Sequence, residues 1–286
     1  MSSHDWHVLY RIIQREARRL PRPKRRFEYS DALIGAMFFW AVWHDRPQCW
    51  AAERASYHGV FRPRRLPSNS EFNRRVRSAR FAQWLTAVRE ALRPARPAGG
   101  TLVVDARPLP VGPCSKDQAA KPGRVYGGFA RGYRLHALVD LAGYVQAFRL
   151  TAMNTGEPDV ALELLTEAAP GETVLSDGVN DSMRLYDAAE ARGVRFRARP
   201  PLKNAGRGHR PQSAARLRAV AEWQAHAAEY QRQRGAIERV FAWQSSFGGG
   251  LSPLPAWVRT PTRTLRWVTA KLTIYHVRRR EKGHAA

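Results

Sequence analysis

The sequence predicts an α/β protein in which a mixed five-stranded sheet with helices follows an all-helical N-terminal domain. Three observations lead to this fold class. Apolar residues recur at helical spacing through about residue 92, a Pro/Gly-rich stretch occupies residues 93–100, and short β-rich runs then alternate with helical patterns. We therefore expect a helical, basic region over residues 1–98 and an α/β region with C-terminal helices over residues 99–286.

The N-terminal region should contain five helices. Prolines end the first pattern, Ser30 or Asp31 can cap the second, and Pro47 suits the first turn of the third. The predicted helices span residues 4–20, 31–43, 47–57, 68–77 and 80–92.

The short helix that begins at Ser68 has a strongly cationic surface. Ser68 and Glu71 have the spacing of a capping box, and Arg74, Arg75 and Arg77 follow. A capped helix with this charge can lie on a DNA backbone or in a groove. The alternative is the solvated face of a helical bundle, and the sequence leaves both open.

The second region reads as strands and crossover helices. A first strand is followed by a Lys/Gly/Pro-rich loop at 115–128, a hairpin joined at Gly143, and two β-α steps. Prolines at 108 and 110 should end the first strand. The expected strands are 101–105, 133–140, 144–151, 173–177 and 194–199; the expected helices are 157–168, 180–192, 214–247 and 261–280, with a loop at 203–212.

Three carboxylates stand out in this region. Asp105 and Asp177 each end a β-rich run, and Glu238 adjoins an apolar stripe on the long helix. Each also has an ordinary explanation: a turn after a strand for the two aspartates, and a surface pair with Arg234 for Glu238. If the three converge, their mutual repulsion favours bound cations, and two Mg²⁺ or Mn²⁺ ions about 4 Å apart could act on a phosphodiester.

Charge distribution indicates the partner. The net charge is +24, and residues 1–100 carry 20 basic and 8 acidic residues, residues 101–199 carry 12 of each, and residues 200–286 carry 16 and 4. Segregated, arginine-rich charge favours a polyanion, although solubility or codon usage could also produce it. Two cysteines are too few for a disulfide framework. The longest apolar run is about half as long as a bilayer span requires, which argues against a membrane partner, and no signal peptide precedes it. We therefore expect a cytoplasmic protein.

These residues carry a resemblance to the DDE transposases of bacterial insertion sequences, whose catalytic domain is similar to ribonuclease H and retroviral integrase. Val-Val-Asp105-Ala-Arg-Pro resembles the first acidic motif, Leu-Ser-Asp177-Gly-Val-Asn-Asp-Ser the second, and Arg-Gly-Ala-Ile-Glu238-Arg-Val-Phe the third. The hairpin strand at 133–140 and the segment 44–51 fit as well. The resemblance covers most of the chain. It implies a ribonuclease H-like catalytic domain over residues 99–286, preceded by an N-terminal region over residues 1–98 for DNA binding or dimerisation.

The resemblance also implies residue roles. Asp105, Asp177 and Glu238 would be the catalytic metal ligands, and Tyr230 and Arg234 would contact phosphate near the cleaved strand; we include Arg239 among the DNA-binding residues. Three features depart from the family pattern: Asn180 replaces a common aromatic, the interval from Tyr230 to Arg234 is long, and the customary lysine is missing at 245–246.

The expected function is divalent-metal-dependent cleavage of DNA ends followed by 3′-hydroxyl strand transfer. The partners would be double-stranded element ends and target DNA, bound by a homodimer associated with the bacterial nucleoid. Two alternatives stay open: a nuclease of the same fold without strand transfer, and a decayed, basic DNA-binding protein.

Overall fold

The computed structural model describes residues 2–24, 27–201, 211–246, 251 and 253–283. The chain forms two compact units, Met1–Arg93 with Gly248–Leu251 and Pro255–Ala286, and Pro94–Phe247 with Ser252–Leu254. The helices of the first unit are α1 (Ser3–Arg19), α2 (Asp31–Trp43), α3 (Asn69–Val76), α4 (Ala79–Glu90) and α8 (Pro261–Gly283).

The core of the first unit is unusually aromatic. Trp6 of α1 packs edge-on against Trp40 at 5.0 Å between ring centroids, and Phe39 packs edge-on against Trp84 at 6.0 Å. Gly35 lets α2 and α4 approach closely, because a Cβ there would lie 2.1 Å from the Trp84 ring. The continuous apolar run of α2 is therefore explained by burial on most of its sides.

Two sequence predictions for this unit differ from the structure. The helix predicted at 47–57 is a pair of 3-10 turns, Trp50–Ala52 and Arg54–Ser56. Side chains capture the carbonyls that a longer helix would use: the Trp40 indole donates to the Ser56 carbonyl at 2.9 Å, and the Ser56 hydroxyl donates to the Trp50 carbonyl at 2.6 Å.

The C-terminal helix α8 contacts α1, α2 and α4, and it therefore belongs to the first unit, whereas the sequence assigned it to the catalytic domain. The boundary between units falls at Arg93/Pro94, a few residues before the predicted one. The predicted loop at 203–212 lies mostly outside the described residues.

The second unit is built on a six-stranded mixed sheet with four of its strands in the order β3-β1-β5-β6 and both β2 and β4 paired to β3. Strands β1, β2, β3 and β4 pair antiparallel, whereas β5 joins β1 and β6 in parallel. The strands are β1 (Thr101–Pro110), β2 (Lys121–Val125), β3 (Gly128–Asp140), β4 (Val145–Ala152), β5 (Thr173–Ser176) and β6 (Arg195–Ala198).

The expected five strands are present, and the sixth, β2, comes from the segment predicted as a loop. Strand β1 also runs past Asp105 to Pro110, although its prolines were expected to stop it. Prolines are tolerated there because β5 pairs only with Thr101–Val103, so beyond that point β1 needs its ladder only toward β3.

Helices cover the sheet. The helices are α5 (Glu157–Leu165), α6 (Met183–Ala191) and α7 (Ala214–Ser246), and the last bends at His226, whose backbone is not helical. Leu102 and Val104 of β1 belong to one buried cluster with α5 and α6. Side chains alternate along a strand, so Val103, Asp105 and Arg107 share the opposite face, where the Arg107 guanidinium donates to the Phe241 carbonyl of α7. The part of helix α7 that follows the bend therefore lies over the face of β1 that carries Asp105.

Among the described residues, every helix is too short or too polar to cross a bilayer.

Candidate active site

Asp105 is a partly buried carboxylate in the middle of β1. Its Oδ1 accepts a hydrogen bond from the backbone N–H of Ala106 at 2.7 Å, and its side chain is 20% exposed. The pKa of Asp105 is raised to about 6, chiefly by burial and to a smaller extent by the negative charges of Asp177 and Glu157, while the Ala106 N–H and Arg234 oppose the shift. A carboxyl with this pKa, surrounded by other acids, is typical of a functional site.

Asp177 stands level with Asp105 at the same end of the sheet. Val103 of β1 pairs with Leu175 of the parallel strand β5, and each aspartate lies two residues further along its own strand. Asp177 ends β5 and accepts a hydrogen bond from the Val179 N–H at 3.2 Å, which caps the 3-10 turn Gly178–Asn180. The carboxyl ends of parallel strands are a common place for ligands in α/β sheets.

A buried polar contact holds these two strand ends in place. The Asn180 amide donates to the Ser176 hydroxyl at 2.7 Å, and that hydroxyl donates to the Val104 carbonyl at 3.4 Å. Asn180 is thus the link between the turn after Asp177 and the residue before Asp105. This gives a physical reason for the asparagine at a position where the resemblance suggests an aromatic residue.

Sequence reasoning missed Glu157. It begins α5, forms an ion pair with Arg134 of β3, and has a pKa raised by burial and by Asp177, with Arg134 acting in the opposite direction. The negative charge of Asp177 therefore raises the pKa of both Glu157 and Asp105. The only sequence signal was an acidic residue before Pro158 at a helix start, which is ordinary for a first turn.

Helix α7 brings Arg234 to the acid pair. Its guanidinium lies 3.9 Å from Oδ2 of Asp105, and it is 15% exposed. This geometry does not favour the alternative explanation for Glu238, a surface ion pair with Arg234. Arg234 is directed toward the strand instead.

Glu238 lies on the same stripe of α7, four residues after Arg234 and three before Phe241, both of which contact β1. Its side chain is exposed, and it is absent from the charges that raise the pKa of Asp105. Within the described ranges, no three Asp, Glu, His or Cys side chains are grouped closely enough to hold a metal ion. The structure therefore brings Asp105 and Asp177 together, whereas Glu238 is exposed on α7 and is not among the charges that act on Asp105.

Tyr230 and Arg239, two of the predicted DNA contacts, differ in exposure. The Tyr230 hydroxyl donates to Glu222 at 2.8 Å, and burial with this hydrogen bond raises its pKa to about 12. Glu222 is also paired with Arg197 of β6, so Tyr230 belongs to an internal polar cluster. Arg239 is exposed.

The cationic helix α3 is only partly available for binding. Arg75 is 4% exposed, donates to Asp31 at 2.6 Å and to the Tyr29 carbonyl at 2.9 Å, and stacks on Phe27. The DNA-binding prediction for Arg75 is therefore corrected: its guanidinium is consumed in joining α3 to the start of α2.

The remaining two arginines of α3 stay at the surface. Arg74 is 68% exposed and pairs with Glu71 at 2.5 Å, and Arg77 is exposed at the end of the helix.

Three features together define the ribonuclease H-like class of fold: the mixed sheet, the helix over its acidic face, and the two aspartates at the same level of the sheet. Among solved structures, the chain is similar to the piggyBac transposase in a synaptic complex with hairpin DNA, with a TM-score of 0.50 and 9% identity over 97% of this chain and 74% of that chain. Another is the simian T-cell lymphotropic virus intasome in complex with PP2A regulatory subunit B56 gamma, with a TM-score of 0.28 and 12% identity over 69% and 58% of the two chains. That second likeness is too low to carry an argument.

The family is set by the sequence itself. Residues 96–260, more than half of the chain, match the family model described as the transposase DDE domain, so this chain belongs to that family. No curated protein matches the sequence significantly.

Proposed function

We propose that this transposase cleaves DNA at the ends of a mobile element and joins the freed 3′-hydroxyl to target DNA, with divalent metal ions as cofactors. The observation that supports it most directly is the pair of level aspartates, Asp105 and Asp177, on neighbouring parallel strands. Membership of the transposase DDE domain family gives the reaction class, and the similar piggyBac structure is a complex with hairpin DNA.

The residues of the site fit Mg²⁺ or Mn²⁺. Both cations prefer oxygen ligands, and Mg²⁺ typically takes one or two carboxylates together with substrate phosphates. Asp105 and Asp177 supply such a pair, and their mutual repulsion, increased by Glu157, is the electrostatic situation that a bound cation relieves. When bound, the metal would activate the attacking hydroxyl and stabilise the leaving oxygen of a phosphodiester.

The neighbouring side chains have separate roles in this proposal. Arg234, 3.9 Å from Asp105 and 15% exposed, is suited to hold the phosphate beside the scissile bond. The ion pair with Arg134 orients Glu157 and opposes the rise in its pKa that burial causes. The exposed Arg77 and Arg239 can add sequence-independent phosphate contacts. Pairing two element ends requires two catalytic units, so we propose a homodimer on DNA.

Two acidic residues are candidates for the third metal ligand. Glu238 is the family candidate and lies on the correct stripe of α7, whereas Glu157 is the acid that already interacts with the aspartates. Two variants separate them. If Glu238 is the ligand, Glu238→Gln should reduce cleavage by several orders of magnitude while Glu157→Gln reduces it about tenfold or less. The reverse order would assign the ligand to Glu157.

The direct test is nicking of supercoiled plasmid by the full chain in Mn²⁺. Asp105→Ala and Asp177→Ala should abolish nicking and preserve DNA affinity, since the phosphate contacts lie elsewhere. Cleavage by either variant at the wild-type rate would refute the proposal. Supplying pre-nicked ends and assaying for joined products then distinguishes a transposase from a nuclease that only cuts.

A further inference from the structure

The hairpin formed by β2 and β3 extends as an arm beyond the rest of the sheet. Strand β1 ends opposite Gly132, so residues 128–131 and their partners in β2 project past it by roughly 13 Å at the rise of a β-strand. Its base is firmly held: the Tyr133 hydroxyl donates to Asp117 at 2.7 Å, and Arg131 donates to the Asp117 carbonyl at 2.9 Å.

Two aromatic side chains are exposed to solvent at the tip of this arm. Tyr126 is fully exposed and Phe129 is 80% exposed, next to a two-residue turn whose second position is Gly127 with φ of +80°. Only a glycine readily takes that backbone conformation, so the turn is tight and leaves both rings at the extreme end. Adjacent exposed aromatic rings at the end of an anchored hairpin are typical of a binding surface.

The charge of the arm indicates the class of partner that it would bind. Residues 118–133 contain three cations, Lys121, Arg124 and Arg131, and no acidic residue, whereas Arg134, the next residue of β3, is paired with Glu157. Arg124 pairs directly with Phe129 across the hairpin, which puts the exposed arginine side chain and the ring on the same face of the arm. An apolar aromatic tip on a purely basic stem complements nucleic acid, where rings stack on bases and cations neutralise the adjoining phosphates.

We propose that Tyr126 and Phe129 act as a wedge that stacks on, and partly unstacks, a base step of the duplex bound at the active site. This inference rests on the proposed function, because Asp105 marks the reacting phosphate. Asp105 lies opposite Ala137, eight residues along β3 from Phe129, which corresponds to roughly 26 Å. At the rise of B-DNA the wedge therefore reaches no further than about eight base pairs from that phosphate.

The test uses the full chain and short duplexes in which a single 2-aminopurine is moved from position to position. Unstacking by the wedge should brighten the probe in the wild-type complex, and the double variant Tyr126→Ala/Phe129→Ala should lose the brightening and bind about tenfold more weakly. The dependence of affinity on salt should be unchanged, because no charge is removed. Arg124→Gln should instead lower that salt dependence.

Two controls make the result specific. Leu141, 41% exposed in the turn at the other end of β3, gives the matched variant Leu141→Ala, which should behave as wild type. The pair Tyr126→Trp/Phe129→Trp should keep the brightening because indole rings also stack.

Equal brightening in the alanine double variant and in Leu141→Ala would overturn the wedge. So would a loss of self-association in the alanine variant without DNA, since the tip would then contact a second copy. A wild-type chain that binds no duplex would refute the proposed function itself, whereas binding without brightening refutes only the wedge.

Discussion

Replacing Asp105 by asparagine should stabilise the protein at neutral pH. In the folded chain the pKa of Asp105 is raised from 3.8 to about 6, chiefly by burial, with Asp177 and Glu157 adding to the shift. That difference corresponds to about 3 kcal/mol of unfavourable free energy once the carboxyl is ionised. Asparagine removes the charge and can still accept the hydrogen bond from the Ala106 N–H.

The direction of this pH dependence of stability follows from proton binding. Because the pKa is higher in the folded state, the folded chain holds this proton more tightly, and its contribution to stability declines as the pH rises from about 4 to about 6. The decline is complete about one pH unit above the folded-state pKa of about 6. Allowing for partial exposure and for the lost attraction to Arg234, Asp105→Asn should raise the free energy of unfolding by about 1–3 kcal/mol at pH 7.5 and by almost nothing below pH 4.

The assay is urea unfolding of the full chain in EDTA across this pH range. The matched control is Asp31→Asn, which removes a carboxylate that is paired with Arg75 at 2.6 Å and with Arg80 at 2.7 Å and should therefore destabilise. Added Mg²⁺ should narrow the gap between wild type and Asp105→Asn, because the ion binds only the wild type well. An Asp105→Asn variant no more stable than wild type at pH 7.5 would refute the electrostatic reasoning.

Two further predictions concern stability in the helical unit. Arg75→Ala should destabilise by about 2–4 kcal/mol because it removes the buried guanidinium's hydrogen bonds to Asp31 and to the Tyr29 carbonyl. Arg77→Ala should change the melting temperature little and weaken DNA binding; similar melting temperatures for the two would contradict this. Gly35→Ala should cost about 1–3 kcal/mol, since the added methyl overlaps the Trp84 ring and forces α2 and α4 apart; an unchanged midpoint in denaturant titration would show that the helices separate freely.

Local sequence signals were sufficient for most of the architecture. Short β-rich runs with turns between them predicted five of the six strands, and helix caps such as Ser68 predicted where α3 begins. The signals failed where tertiary contacts override local preference. Strand β2 contains proline and glycine and forms because β3 offers it an edge, while the expected helix at 47–57 is interrupted by hydrogen bonds from Trp40 and Ser56.

The candidate site shows the same division. A carboxylate at the end of a strand is visible in sequence, so Asp105 and Asp177 could be chosen, and the Val103–Leu175 register brings them level. Burial of a cation is not visible: Arg75 reads as surface charge until its contacts with Asp31 are known. Glu157 was missed for a related reason, since only the sheet and α5 together bring it near the aspartates.

The most direct test of the central claim is calorimetric titration of the metal-free full chain with Mn²⁺ at pH 7.5. The acid pair predicts saturable binding by the wild type, lost in both Asp105→Asn and Asp177→Asn, and weakening below pH 6 as Asp105 takes up a proton. Wild-type binding by Asp177→Asn, or no binding by the wild type even with DNA present, would contradict it.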